Sequence, residues 1–260
     1  MTAEAEREMG LRWLAKRGRP VAAPTPYLEA LLATRNAFAG GLRWLLPLAL
    51  VTAAVAGVGY HALFGRGMTF SYTVYFFCFG IQLAVWLGIR SRQRQLAKAT
   101  RPWPGAVREP WTRSLGAWFV ASTVLAYGGG AALALAIWFT TPARTYALSW
   151  LGLLGLSALC AATVLAGFLR APVLAEDPAS LAVYRAVLAE NIHGAAPALA
   201  AVPPVLDLVI TSHLPAGYRP WLAGYAALVV VTELVAYVRH RRPLPPGDYG
   251  VPRPAQTDVD

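Results

Sequence analysis

Two carboxylates stand inside the apolar carboxy-terminal third of this chain. Asp207 follows the pair Pro203-Pro204, and Glu233 lies in the run 221–238, which holds no Lys or Arg. A carboxylate at mid-bilayer costs about 2.5–3.5 kcal/mol on insertion scales, so such residues face protein or a wet cavity and often serve a path for protons or substrate. Prolines free backbone carbonyls, and irregular backbone at membrane depth is tolerated where it is buried in protein or lines a cavity. Asp207, Glu233, Pro203, Pro204 and Gln82, a polar residue within another apolar run, are therefore the substrate-path candidates. Asp207 lies 13 residues past the start of the run 194–212, and Glu233 lies five residues before the end of the run 221–238. At about 1.5 Å per residue their depths are roughly 20 Å and 7 Å, too different for a shared proton. Glu233 is shallow enough to meet cytoplasmic arginines, and Asp207 is within reach of Arg219.

Other constellations are weaker. Glu190 and His193 form a single Glu-x-x-His unit. Di-iron bundles need two such units with further inward carboxylates, so no metal is expected, and the unit reads as a solvated helix end. Cys78 and Cys160 sit alone in apolar runs, as small buried hydrophobes. Gly155-Leu156-Ser157-Ala158 resembles the serine segment of rhomboid intramembrane proteases, but that chemistry needs a histidine base, and the run 221–238 contains none. No phosphate-binding Gly-x-x-x-x-Gly-Lys loop occurs. An enzyme is not expected, nor a bound cofactor.

The elements that must carry these residues are helices in a membrane. Of 260 residues, 57% are hydrophobic and 14% charged, with a formal net charge of +10 and a mean hydropathy of +0.46. Soluble domains run near a quarter charged. A spanning helix needs about 20 mainly apolar residues, and six runs free of Lys and Arg qualify: 44–63, 69–89, 116–139, 146–169, 194–212 and 221–238. Connections alternate short and long, which predicts an all-α, polytopic protein of three helical hairpins. Small residues at four-residue spacing, Gly80, Ala84 and Gly88, then Gly128, Ala132 and Ala136, mark faces for close helix packing.

Charge sets the orientation. Twenty basic residues lie in the N-terminal segment, the long connections and the tail, against three in the short connections. The positive-inside rule puts both termini in the cytoplasm. Only two of the 23 cations are Lys, a GC-rich codon pattern that suggests a bacterial plasma membrane. The segment 1–43 should hold helices at 4–17 and 26–40, the latter amphipathic, capped by Thr25 with Pro26 at its first position and feeding the first span. A third cytoplasmic helix is predicted at 178–192. The tail 239–260, rich in Pro and Gly from Pro243, is expected to be disordered.

The basic connection 90–115 carries Arg90, Arg92, Arg94, Lys98 and Arg101. With Tyr184 and Arg185 these are candidate contacts for anionic lipid or a partner. Orientation already accounts for their charge, so no nucleic acid is expected. The layout resembles that of small six-span ABC-type export permeases, in which an amphipathic helix feeds the first span. The resemblance implies the membrane subunit of a transporter with a separate ATP-binding partner docking on 90–115 and 178–192. A proton-coupled carrier using Asp207 and a non-transport scaffold are the alternatives, and a homo-oligomer is compatible with each.

Overall fold

The computed structural model describes residues 3–35, 37–65, 70–101, 103–107, 115–193, 200–210, 216–240 and 243–252. The described chain is helical apart from two short strands. Its elements are α1 (Ala3–Lys16), β1 (Val21–Pro24), α2 (Pro26–Arg35), α3 (Ala37–Phe64), α4 (Phe70–Ala99), α5 (Ala117–Thr140), α6 (Arg144–Leu169), α7 (Pro178–His193), α8 (Val202–Ile210), α9 (Arg219–His240) and β2 (Gly250–Pro252).

Four helices are long and apolar enough to cross a membrane: Tyr72–Ala99, Ala117–Thr140, Arg144–Leu169 and Arg219–Arg239. No more than 33% of each apolar window is buried within the chain. The uncovered remainder is apolar, with Phe139, Leu159, Val231 and Leu234 among the exposed side chains, a surface suited to hydrocarbon rather than water. α3 is a helix of 28 residues that packs along α4. Of the span expected over 194–212, residues 194–199 and 211–212 lie outside the described chain, and within 200–210 the helix α8 covers nine residues. It packs between α4 and α9.

Inside α5 the residues Leu125–Gly129 form a π-turn. A π-turn misaligns backbone groups that an α-helix would pair, and here the Tyr225 hydroxyl of α9 donates to the Ala126 carbonyl at 2.6 Å. The close approach runs along Ala126, Gly130 and Ala134, all buried. The expected stripe is displaced by two residues, because Gly128 and Ala132 are exposed. In α4, Gly80 and Ala84 are buried as expected.

Short helices, a strand pair and the tail form a layer at the basic end. Thr25 caps α2, its Oγ1 accepting from Leu28 N at 3.3 Å, with Pro26 at the first position. Of the helix expected over 26–40, α2 covers Pro26–Arg35, residue 36 lies outside the described chain, and 37–40 are helical within α3. Asp177 and Ser180 cap α7 reciprocally: each side-chain oxygen accepts from the other's backbone N–H, at 2.7 and 3.0 Å. The layer's core joins Leu14 and Trp13 of α1, Leu28 and Leu31 of α2, and Val183 and Val187 of α7.

The tail corrects an expectation. Residues 243–252 are ordered: Leu244 and Tyr249 are buried in the layer's core, and β2 pairs antiparallel with β1. Composition suggested disorder, but two apolar anchors and a strand edge supply what the prolines do not. Residues 253–260 lie outside the described chain.

Candidate functional site

The two carboxylates sit among different neighbours. Asp207 on α8 is 2% exposed. Tyr146, at the start of α6, hydrogen-bonds it, and Tyr72, at the start of α4, lies beside it. Its described neighbours are thus tyrosine hydroxyls rather than the expected Arg219, which is exposed at the head of α9. Pro203 and Pro204 lie in the first turn of α8, where a missing N–H is tolerated. Gln82 is half-buried in α4.

Glu233 belongs to the opposite end of the bundle. It was expected to meet cytoplasmic arginines; its described partners are Ser122 and His193. Ser122 Oγ donates to Glu233 Oε2 at 2.8 Å, and His193 Nδ1 stands 3.6 Å from Oε1. His193 is 3% exposed at its side chain, its ring set edge-on to Phe119 at 5.2 Å. A carboxylate, an imidazole and a hydroxyl from three helices therefore meet at one half-buried contact, groups that can each hold a proton.

The Glu-x-x-His unit is not a solvated helix end. Its two members turn to different tasks, His193 into the bundle and Glu190 onto the amino-terminal helices. Glu190 accepts from Trp13 Nε1 at 2.9 Å, from Arg17 at 2.7 Å and from Arg35 at 2.6 Å. Burial alone would raise its carboxyl pKa. The Arg35 charge and the three donors outweigh burial and hold it below the ordinary carboxylate value. Among the described residues no three His, Cys, Asp or Glu side chains gather as a metal site.

The basic residues divide by environment. Arg92 donates to the Ala33 carbonyl at 2.6 Å and pairs with Glu6 at 3.3 Å, tying α4 to the layer. Arg90 lies over the Trp86 ring at 5.1 Å. The Arg101 backbone N–H donates to Glu176. Arg94 and Lys98 are exposed. Tyr184, expected as a surface contact, is buried and donates to the Pro172 carbonyl at 3.2 Å. Arg185 is exposed and reaches the Val107 carbonyl.

Between the start of α5, the ends of α6 and α9, and α7 lies a cavity of about 1050 Å³. Phe119, Phe168, Leu169 and Ala236 supply apolar wall from the membrane helices, and His193 also lines it. Arg17, Arg170, Arg185 and Arg239 line it too, with no Asp or Glu among the described lining residues. A smaller cavity of about 430 Å³ adjoins Arg90, Arg94 and Arg170.

Ser122 escaped sequence reasoning, and His193 was noted there only as part of the Glu-x-x-His unit. His193 stands at the border of an apolar run, which was a usable signal; Ser122 is one serine among several in apolar runs and carried none. Comparison of the chain with known protein families, characterised proteins and solved structures finds no match.

Proposed function

We infer that the protein is a permease-like membrane subunit of a transporter. It crosses a bacterial plasma membrane six times, with both termini in the cytoplasm. One observation carries the reading: a cavity of about 1050 Å³ at the basic end shares His193 with the buried Glu233 contact. A ligand space lined by a histidine that itself faces an acid of an apolar helix suits a transport path, and a scaffold has no need of it. The twenty-to-three charge asymmetry supports the orientation. α3 and the short α8 are the first and fifth spans, the fifth being broken as in many carriers.

An ATP-binding subunit would supply the energy, docking on the basic end. The surface it meets is the charged face of α1, where Glu4, Glu8, Arg12 and Lys16 are exposed. α7 is less suited, because most of its side chains are buried within the chain. A second reading, a proton-coupled carrier, is favoured by the 3.6 Å approach of His193 to Glu233.

Purification of the full-length protein from its native membrane, followed by reconstitution in liposomes, separates these readings. A stoichiometric ATP-hydrolysing partner supports the first. A chain that elutes alone and moves solute under a proton gradient, with loss of flux in Glu233→Gln, supports the second. A chain that elutes alone and moves nothing under either driving force overturns both.

A further inference from the structure

We propose that the π-turn of α5 is a hinge between two registers of that helix. In the register seen, Ser122 donates to Glu233; in the second, shifted by one residue, Thr123 does. The hinge rests on the transport reading for its use. Register is measured as a distance, without transport, so each can fail alone.

The argument begins with how α5 is divided. Ala117–Val124 and Gly130–Thr140 are α-helical, and Leu125–Gly129 between them form the π-turn. Such a turn holds one residue more than an α-helix needs, and it is frequent at functional sites. The two halves have different partners. The first packs along α9 and the second mainly along α6. Ala134 and Ile137 of the second half share a core with Trp150 and Leu154 of α6. Phe119 of the first half belongs to another core, with Ile89 of α4 and Ile192 of α7. One half can therefore turn while the other stays seated.

Little in the backbone opposes the turn. Val124, Gly129 and Gly130 have φ of −62°, −63° and −61° with ψ near −43°, so both registers lie within the ordinary helical region. Gly128 faces open space and presents no side chain to obstruct rotation. Losing the extra residue turns the first half by about 100° and shifts it about 1.5 Å along its axis. Each residue then takes the place of the one before it.

That exchange suits this sequence. Thr123 would stand where Ser122 now donates to Glu233 Oε2 at 2.8 Å, so the carboxylate keeps a hydroxyl donor in both registers. Ser122 would turn outward, free to bond within the helix as Thr123 now does with the Phe119 carbonyl at 2.8 Å. Val120 would replace Phe119 in the core, one apolar side chain for another. The register seen is further favoured by the Tyr225 hydroxyl, which donates to the Ala126 carbonyl inside the π-turn. Two arrangements that satisfy the same buried groups are what a bistable element requires, and irregular helices recur in carriers that alternate between states.

The experiment uses the full-length protein in liposomes, with Cys78→Ala and Cys160→Ala as background, and reads distances between paired spin labels by pulsed electron resonance. The inner pair is Ala121→Cys with Ala162→Cys, and the outer pair is Ala132→Cys with Ala162→Cys; all three positions are exposed. A turn of about 100° moves a Cα by roughly 3.5 Å, so the second register gives the inner pair a second distance. Ser122→Ala weakens the first register alone and should raise the share of that distance about tenfold, the worth of a hydrogen bond to a charged group. Thr123→Val weakens the second alone and should lower it about tenfold. The outer pair should keep one distance throughout. An inner pair that holds a single unchanged distance in both variants overturns the hinge. Inner and outer pairs that move together overturn it in favour of a rigid helix, and variants that shift the inner pair in the same direction overturn the exchange of hydroxyls.

Discussion

Arg35 Nε stands 2.6 Å from Glu190 Oε2, a contact across 155 residues that ties the last turn of α2 to the last turn of α7. Arg17 shares the same carboxylate and is 8% exposed at its side chain. Removing one member of a buried pair leaves its partner's charge uncompensated, which costs about 3–5 kcal/mol. Glu190 retains 21% exposure, so Glu190→Ala is expected to cost about 3 kcal/mol, the low end of that range. The expected readout is a lower melting temperature and new proteolytic cleavage near residues 17–25. Unchanged cleavage would show that apolar packing alone holds the layer.

The same carboxylate gives an acid dependence. Its folded pKa is depressed, so its stabilisation is fully present above the unfolded value of about 4.3. It is lost as pH falls through the folded value. Cleavage of the amino-terminal segment should be flat from neutral pH to about pH 5 and rise below about pH 4. In Glu190→Gln that rise should be smaller, because the titrating group is gone.

Much of the bundle could be read from sequence, since hydrophobic run length is a one-dimensional property and four of the expected spans appear as long apolar helices. Partnerships were harder to read. Glu233 was expected beside arginine because the surrounding loops are basic, but a Ser in α5 and the terminal His of α7 reach it first. The stripe at Gly128, Ala132 and Ala136 failed because the π-turn rotates the packed face onto Ala126, Gly130 and Ala134. The packed set 126, 130 and 134 has the same four-residue spacing as the expected one, so spacing alone leaves the register open. The order of the tail depends on contacts made some 230 residues away, beyond any local composition.

That rotation makes neighbouring glycines unequal. A methyl group on Gly130 would stand 2.8 Å from the Tyr225 hydroxyl and 3.1 Å from Leu154, whereas one on Gly128 meets open space. Gly130→Ala should destabilise by about 1–3 kcal/mol through overpacking. Gly128→Ala should be neutral or stabilising, by up to about 1 kcal/mol. Tyr225→Phe removes the 2.6 Å hydrogen bond to Ala126 and should cost about 1 kcal/mol. Thermal unfolding in one detergent orders the three, and equal loss at Gly128 and Gly130 would refute the register.

Glu233 allows charge to be separated from shape. Glu233→Gln keeps an acceptor for Ser122, while Glu233→Ala removes both the acceptor and the charge facing His193. A hydrogen bond to a charged group is worth about 1.5–3 kcal/mol. The alanine variant should therefore lose about 2 kcal/mol in melting experiments, and the glutamine variant less. If Gln melts as Ala does, the charge rather than the hydrogen bond dominates the contact.

The tail is held at one backbone position that only glycine suits. Gly250 has φ +118°, and a Cβ there would collide with the Ala23 carbonyl oxygen of β1. Gly250→Ala should therefore separate β2 from β1. With the strand pair open, Tyr249 loses its register and Arg19 its approach to that ring, now 5.9 Å. The Leu244 carbonyl, which accepts from Arg19, is nearer the bundle and should stay in place, since its own N–H donates to the Arg17 carbonyl at 3.1 Å. Hydrogen exchange on the full chain should accordingly show protection lost at 21–24 and 249–252 and kept at 244. A chain ended after Arg242 should expose the layer's core and lose stability by about 2–5 kcal/mol, the cost of emptying a large apolar site. Protection at 21–24 surviving Gly250→Ala would mean that β1 is held by α1 and α2 without its partner strand.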